Sequence, residues 1–186
     1  RDVTGVQTCA LPICRGNRSR GKVYLCEEGK YEQVHSHPIA LSSSLAGLWG
    51  VSTKSFGWTT FKDEGKVVGL AGHGKFNQKI YDLLKKCFHY DGNLLFGPVN
   101  TDNMYDFIFE KNLRKEGFFD SYENKADLAF NLQLISEEEI VKYLTDLHKL
   151  YPEYKKITLS GGLFSNVKLN QVINELDFFD EIRNAL

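Results

Sequence analysis

The chain has 186 residues, of which 42% are hydrophobic and 25% are charged, and its formal net charge is −1. This composition is that of an ordinary globular chain. The balanced charge gives no electrostatic reason to expect a nucleic-acid or membrane-surface partner. No apolar run approaches the about 20 residues that a membrane-spanning helix needs. We therefore expect a cytoplasmic protein with no nucleic-acid or membrane partner.

The first fourteen residues differ in character from the rest. Residues 3–13 read VTGVQTCALPI, a string that results when a common short-read sequencing adapter is translated. We interpret residues 1–14 as such an artefact and residues 15–186 as part of one domain, cut at both ends. A genuine apolar lead-in is the alternative, although the segment lacks the pattern of a secretory signal. Without it two cysteines remain, Cys26 and Cys87, and their spacing favours reduced thiols.

The first predicted elements are a β-hairpin and a helix. Residues 22–26 and 31–35 are the predicted arms of the hairpin, and Gly29 between them can supply the positive φ of a tight turn. Apolar residues then recur at helical spacing over residues 42–56. Gly57 is a suitable C-terminal stop for this helix.

Two further helices are predicted downstream. Residues 76–88 form a short amphipathic pattern, whereas residues 89–120 are rich in turn residues and are the least regular part of the chain. Residues 126–150 carry one apolar face and predict a long helix. We expect this helix to break near Ser136, which has the spacing of a capping box with Glu139.

A glycine-rich segment carries the first candidate binding residues. Residues 63–74 read DEGKVVGLAGHG and contain four glycines. This density predicts a loop that bends sharply or brings its backbone close to another group. Lys66 suits a phosphate as a point charge, and Glu64 can accept hydrogen bonds from ribose hydroxyls. The alternative is a solvated loop whose local ion pairs contribute little to stability.

A second candidate follows a predicted strand at Lys156–Ser160. Gly161 and Gly162 lack a Cβ, so their backbone amides can come within hydrogen-bonding distance of a phosphate. A predicted helix over residues 167–175 would add the partial positive charge of its N-terminus. Asn166 can donate to the phosphate or cap this helix. Taken alone, the pair of glycines is equally consistent with a simple tight turn.

The sequence offers weaker signals for other kinds of chemistry. His35 and His37 alternate, so both rings would lie on one face of a strand and could bind a metal. No third ligand is evident, and we therefore predict no metal site in this stretch. Hydrolase, Walker and Rossmann motifs are not present in their required spacing.

Three segments resemble one family, the O-carbamoyltransferases of nodulation and antibiotic tailoring. Residues 63–74 resemble the family signature Asp-Glu-Gly-Lys-Val-Met-Gly-Leu-Ala-Pro-Tyr-Gly and agree at nine of twelve positions. Gly72-His73 replaces Pro-Tyr, which loosens the turn. Residues 161–170 resemble the Gly-Gly-(three residues)-Asn-(three residues)-Asn motif, and residues 126–133 resemble the Ala-Asp-Leu-Ala-(two residues)-Leu-Gln helix.

The resemblance implies a fold and an activity. The fold would be α/β, a fragment of an actin/sugar-kinase/Hsp70-like ATPase domain with a mixed sheet flanked by helices. The activity would be ATP-dependent transfer of a carbamoyl group from carbamoyl phosphate, through carbamoyl-adenylate, to a hydroxyl of a small-molecule acceptor. A C-terminal adenylate-forming domain would complete the enzyme. A divalent metal, iron in some members, would be held by residues outside this stretch.

The resemblance also implies a set of site residues. Glu64, Lys66, Gly161, Gly162 and Asn166 would bind the nucleotide. No catalytic residue or metal ligand of the family maps onto this chain, so we expect the chain by itself to be inactive.

Two alternatives share parts of this evidence. A tRNA threonylcarbamoyladenosine transferase would have the same fold, but that family carries a Phe-Asp-Lys-Val run where this chain has residues 63–74. A non-catalytic nucleotide-binding module would keep the two glycine-rich segments without the transfer chemistry.

Overall fold

The computed structural model describes residues 5–9, 19–38, 45–92, 96–97, 113–114 and 117–185. The chain divides into two compact units. The first unit consists of Arg1–Ile39, Tyr90–Leu95 and Ile140–Leu186, and the second consists of Ala40–His89 and Phe96–Glu139.

The strands of the described residues form one larger sheet and one small ladder. They are β1 (Gly5–Cys9), β2 (Ser19–Glu27), β3 (Lys30–Pro38), β4 (His89–Tyr90), β5 (Phe96–Gly97), β6 (Lys156–Ser160) and β7 (Glu181–Ala185). The larger sheet has the order β3-β2-β1-β6-β7, and β4 pairs with β5. Pairing is antiparallel from β3 to β1 and parallel from β1 to β7, so the sheet is mixed. The predicted α/β class with a mixed sheet is confirmed. The assignment to the actin/sugar-kinase/Hsp70-like ATPase fold stays a prediction.

Five α-helices occur among the described residues. They are α1 (Leu45–Ser55), α2 (Glu64–Ala71), α3 (Gln78–Cys87), α4 (Tyr122–Leu150) and α5 (Val167–Asn174). Helices were predicted at four of these places, all but α2, and each of the four is confirmed. Within the described part of the chain, no helix is both long enough and apolar enough to span a membrane.

The predicted hairpin is confirmed, and its turn follows from local chemistry. Glu27 pairs with Lys30, which leaves a two-residue loop between β2 and β3. Both loop residues have positive φ, 48° at Glu28 and 76° at Gly29. Two positive φ values in a two-residue loop match the right-handed twist of the flanking strands.

The predicted stop of α1 is also confirmed. Gly57 has a φ of 86°, a conformation that favours glycine. Its amide donates to the Lys54 carbonyl at 3.0 Å, and the Trp58 amide donates to the Thr53 carbonyl at 3.1 Å. These two bonds form a Schellman motif, which satisfies carbonyls at the end of the helix. Residues 42–44 of the predicted helix lie outside the described residues.

The predicted break in α4 is wrong, because this helix is continuous over 29 residues. The Ser136 hydroxyl donates to the Leu132 carbonyl at 2.7 Å and accepts from Trp49 Nε1 at 3.0 Å. The fully buried carboxylate of Glu139 forms an ion pair with Lys85 of α3. Because both side chains have these partners, they form no capping box and the helix runs through.

Five of residues 1–14 form β1, which lies between β2 and β6 in the larger sheet. Val6 lies opposite Leu25 in the antiparallel pairing and opposite Ile157 in the parallel pairing. Strand-forming residues such as Val6 and Thr8 suit this position. The backbone of residues 5–9 is therefore part of the larger sheet. The interpretation of the segment as an adapter artefact stays a prediction.

Candidate nucleotide-binding elements

The turn after β6 has an unusual backbone. Gly161 has φ 113° and ψ 159°, a conformation that is essentially restricted to glycine. A 3-10 helix over Gly162–Ser165 follows, and the Phe164 amide donates to the Gly161 carbonyl at 3.0 Å. Because β6 runs parallel to β1 and β7, this turn lies at the carboxyl end of parallel strands. Ligands of open α/β sheets characteristically bind at that end.

The turn leaves backbone donors available. Within the described residues, the amides of Gly162 and Leu163 have no hydrogen-bond partner. Gly162 is exposed, whereas the Leu163 side chain is buried and anchors the turn. Two adjacent unpartnered amides next to a helix N-terminus can bind the oxygens of a phosphate.

Asn166 caps α5. Its side-chain oxygen accepts from the amides of Lys168 and Leu169, both at 3.1 Å, and the residue is only 7% exposed. Of the two roles suggested by the sequence, capping is therefore the one that the geometry shows. A direct contact between Asn166 and a nucleotide stays a prediction.

Asn170 was not singled out from the sequence, although it is the second asparagine of the matched motif. Its side-chain amide donates to the Phe164 carbonyl at 2.7 Å and so ties α5 to the Gly-Gly turn. Its side-chain oxygen is buried and, among the described residues, has no partner. The motif therefore contains two residues that fix the shape of the turn.

The glycine-rich segment is not the predicted loop over most of its length, because Glu64–Ala71 is α2. A Cβ added at Gly65 or Gly69 would meet nothing within 4 Å, so these glycines serve no close approach. The prediction of a close approach is confirmed at Gly74. There a Cβ would overlap the Ala126 carbonyl and lie 2.9 Å from the Asp127 amide.

Two side chains of α4 hold the segment that follows Gly74. Asp127 accepts from the Lys75 amide at 3.0 Å. Asn131 accepts from the Asn77 amide at 3.3 Å and donates to the Lys75 carbonyl at 3.1 Å. Both side chains are buried. Side chains of one family-resembling segment, residues 126–133, thus hold the residues that directly follow the other, residues 63–74.

The charged residues at the N-terminus of α2 have local partners. One Asp63 oxygen accepts from the Thr59 amide at 2.9 Å, and the other pairs with Lys66 Nζ at 2.9 Å. The hydrogen bond from Lys66, followed by that from Thr59, lowers the pKa of Asp63. Glu64 accepts from the Phe61 amide at 2.6 Å. The predicted nucleotide contacts of Glu64 and Lys66 stay predictions.

Sequence reasoning missed Phe61. Its φ of 67° lies in the left-handed region, and its side chain is 70% exposed. A non-glycine residue in this conformation costs about 1–2 kcal/mol. Nearby, Lys66 Nζ lies 6.0 Å from the centroid of the half-buried Trp58 ring. No propensity rule places a phenylalanine in this conformation, so the sequence carries no signal for it.

The metal that the resemblance implies finds no ligand set in this part of the chain. Among the described residues, no three His, Cys, Asp or Glu side chains lie close enough to hold an ion. His35 Nε2 is hydrogen-bonded to the Tyr151 hydroxyl at 3.1 Å, and burial lowers the pKa of this histidine. The His37 side chain lies outside the described residues.

The candidate nucleotide residues belong to different units. Glu64 and Lys66 lie in the second unit, whereas Gly161, Gly162 and Asn166 lie in the first.

A mixed sheet with a Gly-Gly turn at the carboxyl end of a parallel strand defines an α/β protein with a candidate phosphate-binding turn. The family model "Carbamoyltransferase N-terminus" matches residues 15–183, and the chain therefore belongs to this family. The uncharacterized protein MJ1058 of Methanocaldococcus jannaschii is 26% identical over 158 residues. That match covers 82% of this chain and 24% of the relative, so the chain spans about a quarter of the relative's length.

Proposed function

We propose that this chain is part of an ATP-dependent carbamoyltransferase. Water would release phosphate from carbamoyl phosphate, and the resulting carbamate would attack the α-phosphate of ATP to form carbamoyl-adenylate with loss of pyrophosphate. A hydroxyl of a small-molecule acceptor would then take the carbamoyl group, with AMP as the leaving group. Membership of the carbamoyltransferase family supports the transfer reaction. The Gly-Gly turn supports the use of a phosphorylated substrate.

The observation that carries this proposal is the pair of amides at Gly162 and Leu163, which have no hydrogen-bond partner in the part of the chain that the structure describes. They would donate to phosphate oxygens, and the N-terminus of α5 would add favourable electrostatic potential. Asn166 and Asn170 would hold the turn in shape through the bonds described above. Fixed donors contribute to such a reaction by positioning the substrate, so no nucleophile is required from this part of the chain.

Substituting Gly162→Val in the full-length protein tests the turn. A branched side chain beside these amides should fill the space of the phosphate, and ATP binding measured by calorimetry should be lost. Val167→Ala is the matched control, because it shortens an exposed side chain at the same turn and leaves the backbone donors in place. A folded Gly162→Val protein that binds ATP like the wild type would remove the turn from the site.

The adenylate route needs its own assay. Pyrophosphate release from ATP should depend on carbamoyl phosphate and should not require the acceptor. Release of ADP in place of pyrophosphate would contradict the carbamoyl-adenylate intermediate. If the wild-type protein binds ATP but transfers no carbamoyl group, the alternative of a non-catalytic nucleotide-binding module gains support.

A further inference from the structure

An open cavity of about 420 Å³ lies between α4 and the residues at the end of β4. This volume falls within the roughly 300–1,000 Å³ of small-molecule sites. All of its described lining residues belong to the first unit. We propose that this α4 cavity binds a small neutral molecule that carries several hydroxyl groups, such as a sugar. The inference goes beyond the proposed function, because the lining includes no residue of the Gly-Gly turn or of the glycine-rich segment.

One face of α4 supplies polar groups of different kinds to the cavity. Lys142, Thr145 and Lys149 follow one another at intervals of three and four residues, so they share one face of the helix. The Thr145 hydroxyl donates to the Val141 carbonyl at 2.7 Å. This bond uses its proton, and the hydroxyl oxygen keeps lone pairs that can accept from a ligand.

Asp146 is held in place from two elements. Its Oδ1 accepts from Lys149 Nζ at 2.8 Å, and the Asp146 side chain is 29% exposed. The hydrogen bond from Lys149, followed by that from Tyr90 of β4, lowers the pKa of this carboxyl. The Tyr90 ring in turn packs edge-on against Tyr143, with 5.8 Å between the ring centroids. A carboxylate that is already ordered and still partly exposed can bind a ligand at a small cost in entropy.

The charges of the lining indicate the class of ligand. Among the described residues, the lining has two ammonium groups and two carboxylates, those of Lys142, Lys149, Asp91 and Asp146. An anion or a cation would therefore meet like charges as well as opposite ones. A hydroxyl group both donates and accepts, so a polyol can donate to the carboxylates and accept from the ammonium groups. Such bonds, with one charged partner, are stronger than bonds between neutral groups.

Three sugars of similar size test the ligand class in the full-length protein. Glucose is neutral, glucosamine carries an ammonium group, and glucuronate carries a carboxylate. Titration followed by saturation-transfer NMR should show glucose binding in the millimolar range. Each charged sugar should bind several-fold more weakly, because of the like charges in the lining.

Asp146→Asn tests the lining itself. It removes the charge of the ordered carboxylate and should weaken glucose binding about ten-fold. Asp177→Asn is the matched control, because Asp177 is an exposed aspartate of the same unit that does not line the cavity. The control should bind glucose like the wild type.

Thr145→Val is a second variant, which keeps the test decisive if Asp146→Asn does not fold. It removes the hydroxyl and keeps a branched side chain, and it should also weaken glucose binding. Melting curves of all variants separate a loss of binding from a loss of fold.

Each contrary outcome overturns a defined part of the proposal. A folded wild type that binds no glucose overturns the site. Tighter binding of glucosamine or glucuronate than of glucose overturns the neutral class of ligand. Equal glucose affinity in the wild type, Asp146→Asn and Thr145→Val overturns the assignment to the α4 cavity. These outcomes are independent of ATP binding, which the Gly162→Val variant tests.

Discussion

Gly74 is the residue of the glycine-rich segment whose missing side chain matters most. Gly74→Ala should lower the free energy of unfolding by about 1–3 kcal/mol, because its Cβ would overlap backbone of α4. Gly65→Ala is the control within the same segment, since the space around it is open. That change should raise stability by about 0.5–1 kcal/mol, as alanine suits a helix better. Urea denaturation of both variants checks this, and a neutral Gly74→Ala would contradict the close packing.

Because of His148, we expect the free energy of unfolding to decrease in mild acid. Its ring stacks on Phe178 at 4.7 Å, and its Nδ1 is buried without a partner among the described residues. Burial, followed by the charge of Lys155, lowers the pKa of His148 in the folded protein. The unfolded chain therefore takes up a proton at higher pH than the folded chain does. Stability should be fully present above about pH 6.5 and should fall as the pH drops below it.

The measurement for this prediction is the free energy of unfolding at pH 7.5 and pH 5.5. His148→Phe should reduce the pH-dependent loss, because phenylalanine can occupy the stack without titrating. His35, whose pKa burial also lowers, remains in both proteins and should leave a residual loss of the same sign. Equal losses in wild type and variant would show that His148 does not contribute.

At the scale of single residues, sequence patterns identified the residues whose role depends on their backbone conformation. Gly161 and Gly162 could be selected because two glycines between a strand and a helix have a direct conformational meaning. The hydrogen bonds to Asp63 and Glu64 could not be predicted, because these carboxylates accept from backbone amides that only the folded turn presents. The ion pair of Lys66 with Asp63 is local, as the alternative interpretation of this segment expects. Phe61 was missed for the related reason that its φ is imposed by its neighbours.

Helix α4 shows how a single side chain can mislead at the scale of an element. Ser136 suggests a helix start, but its hydroxyl bonds within the helix and to Trp49. Ser136→Ala should leave the buried Trp49 Nε1 without an acceptor and cost about 1–3 kcal/mol. Thr145 also donates to the carbonyl four residues back, so Thr145→Ala is the control and should change stability by less than about 0.5 kcal/mol. Equal effects of the two changes would argue against the bond to Trp49.

Hydrophobic periodicity was sufficient to predict the helices that carry a clear apolar face, but it did not predict α2. Glycine lowers helix propensity, so Gly65 and Gly69 argue for a loop when the sequence is considered alone. In the structure Val67, Leu70 and Ala71 are buried, and this packing outweighs the propensity of the two glycines. The hairpin was easier to predict from the sequence than α2, because its two-residue turn is determined by local backbone conformation.

For the whole molecule, the position of β1 yields the clearest prediction. Deleting residues 1–14 removes a strand that pairs with β2 on one side and β6 on the other. The melting temperature should fall by roughly 5 °C or more. Deleting residues 1–4 is the control, because it leaves β1 intact. An unchanged melting temperature after the longer deletion would support the interpretation of the segment as an artefact.

The pairing of β1 with β6 also sets an order of events during synthesis. Glu27 and Lys30 are neighbours in the chain, so the hairpin can close within about 1–10 μs. Val6 can pair with Ile157 only after Ile157 has been synthesised. At about 5–20 residues per second, a ribosome adds Ile157 on the order of ten seconds after Val6. Throughout that interval one edge of β1 is open to any other extended peptide. The nascent chain, more than the finished protein, is therefore where a chaperone would be needed.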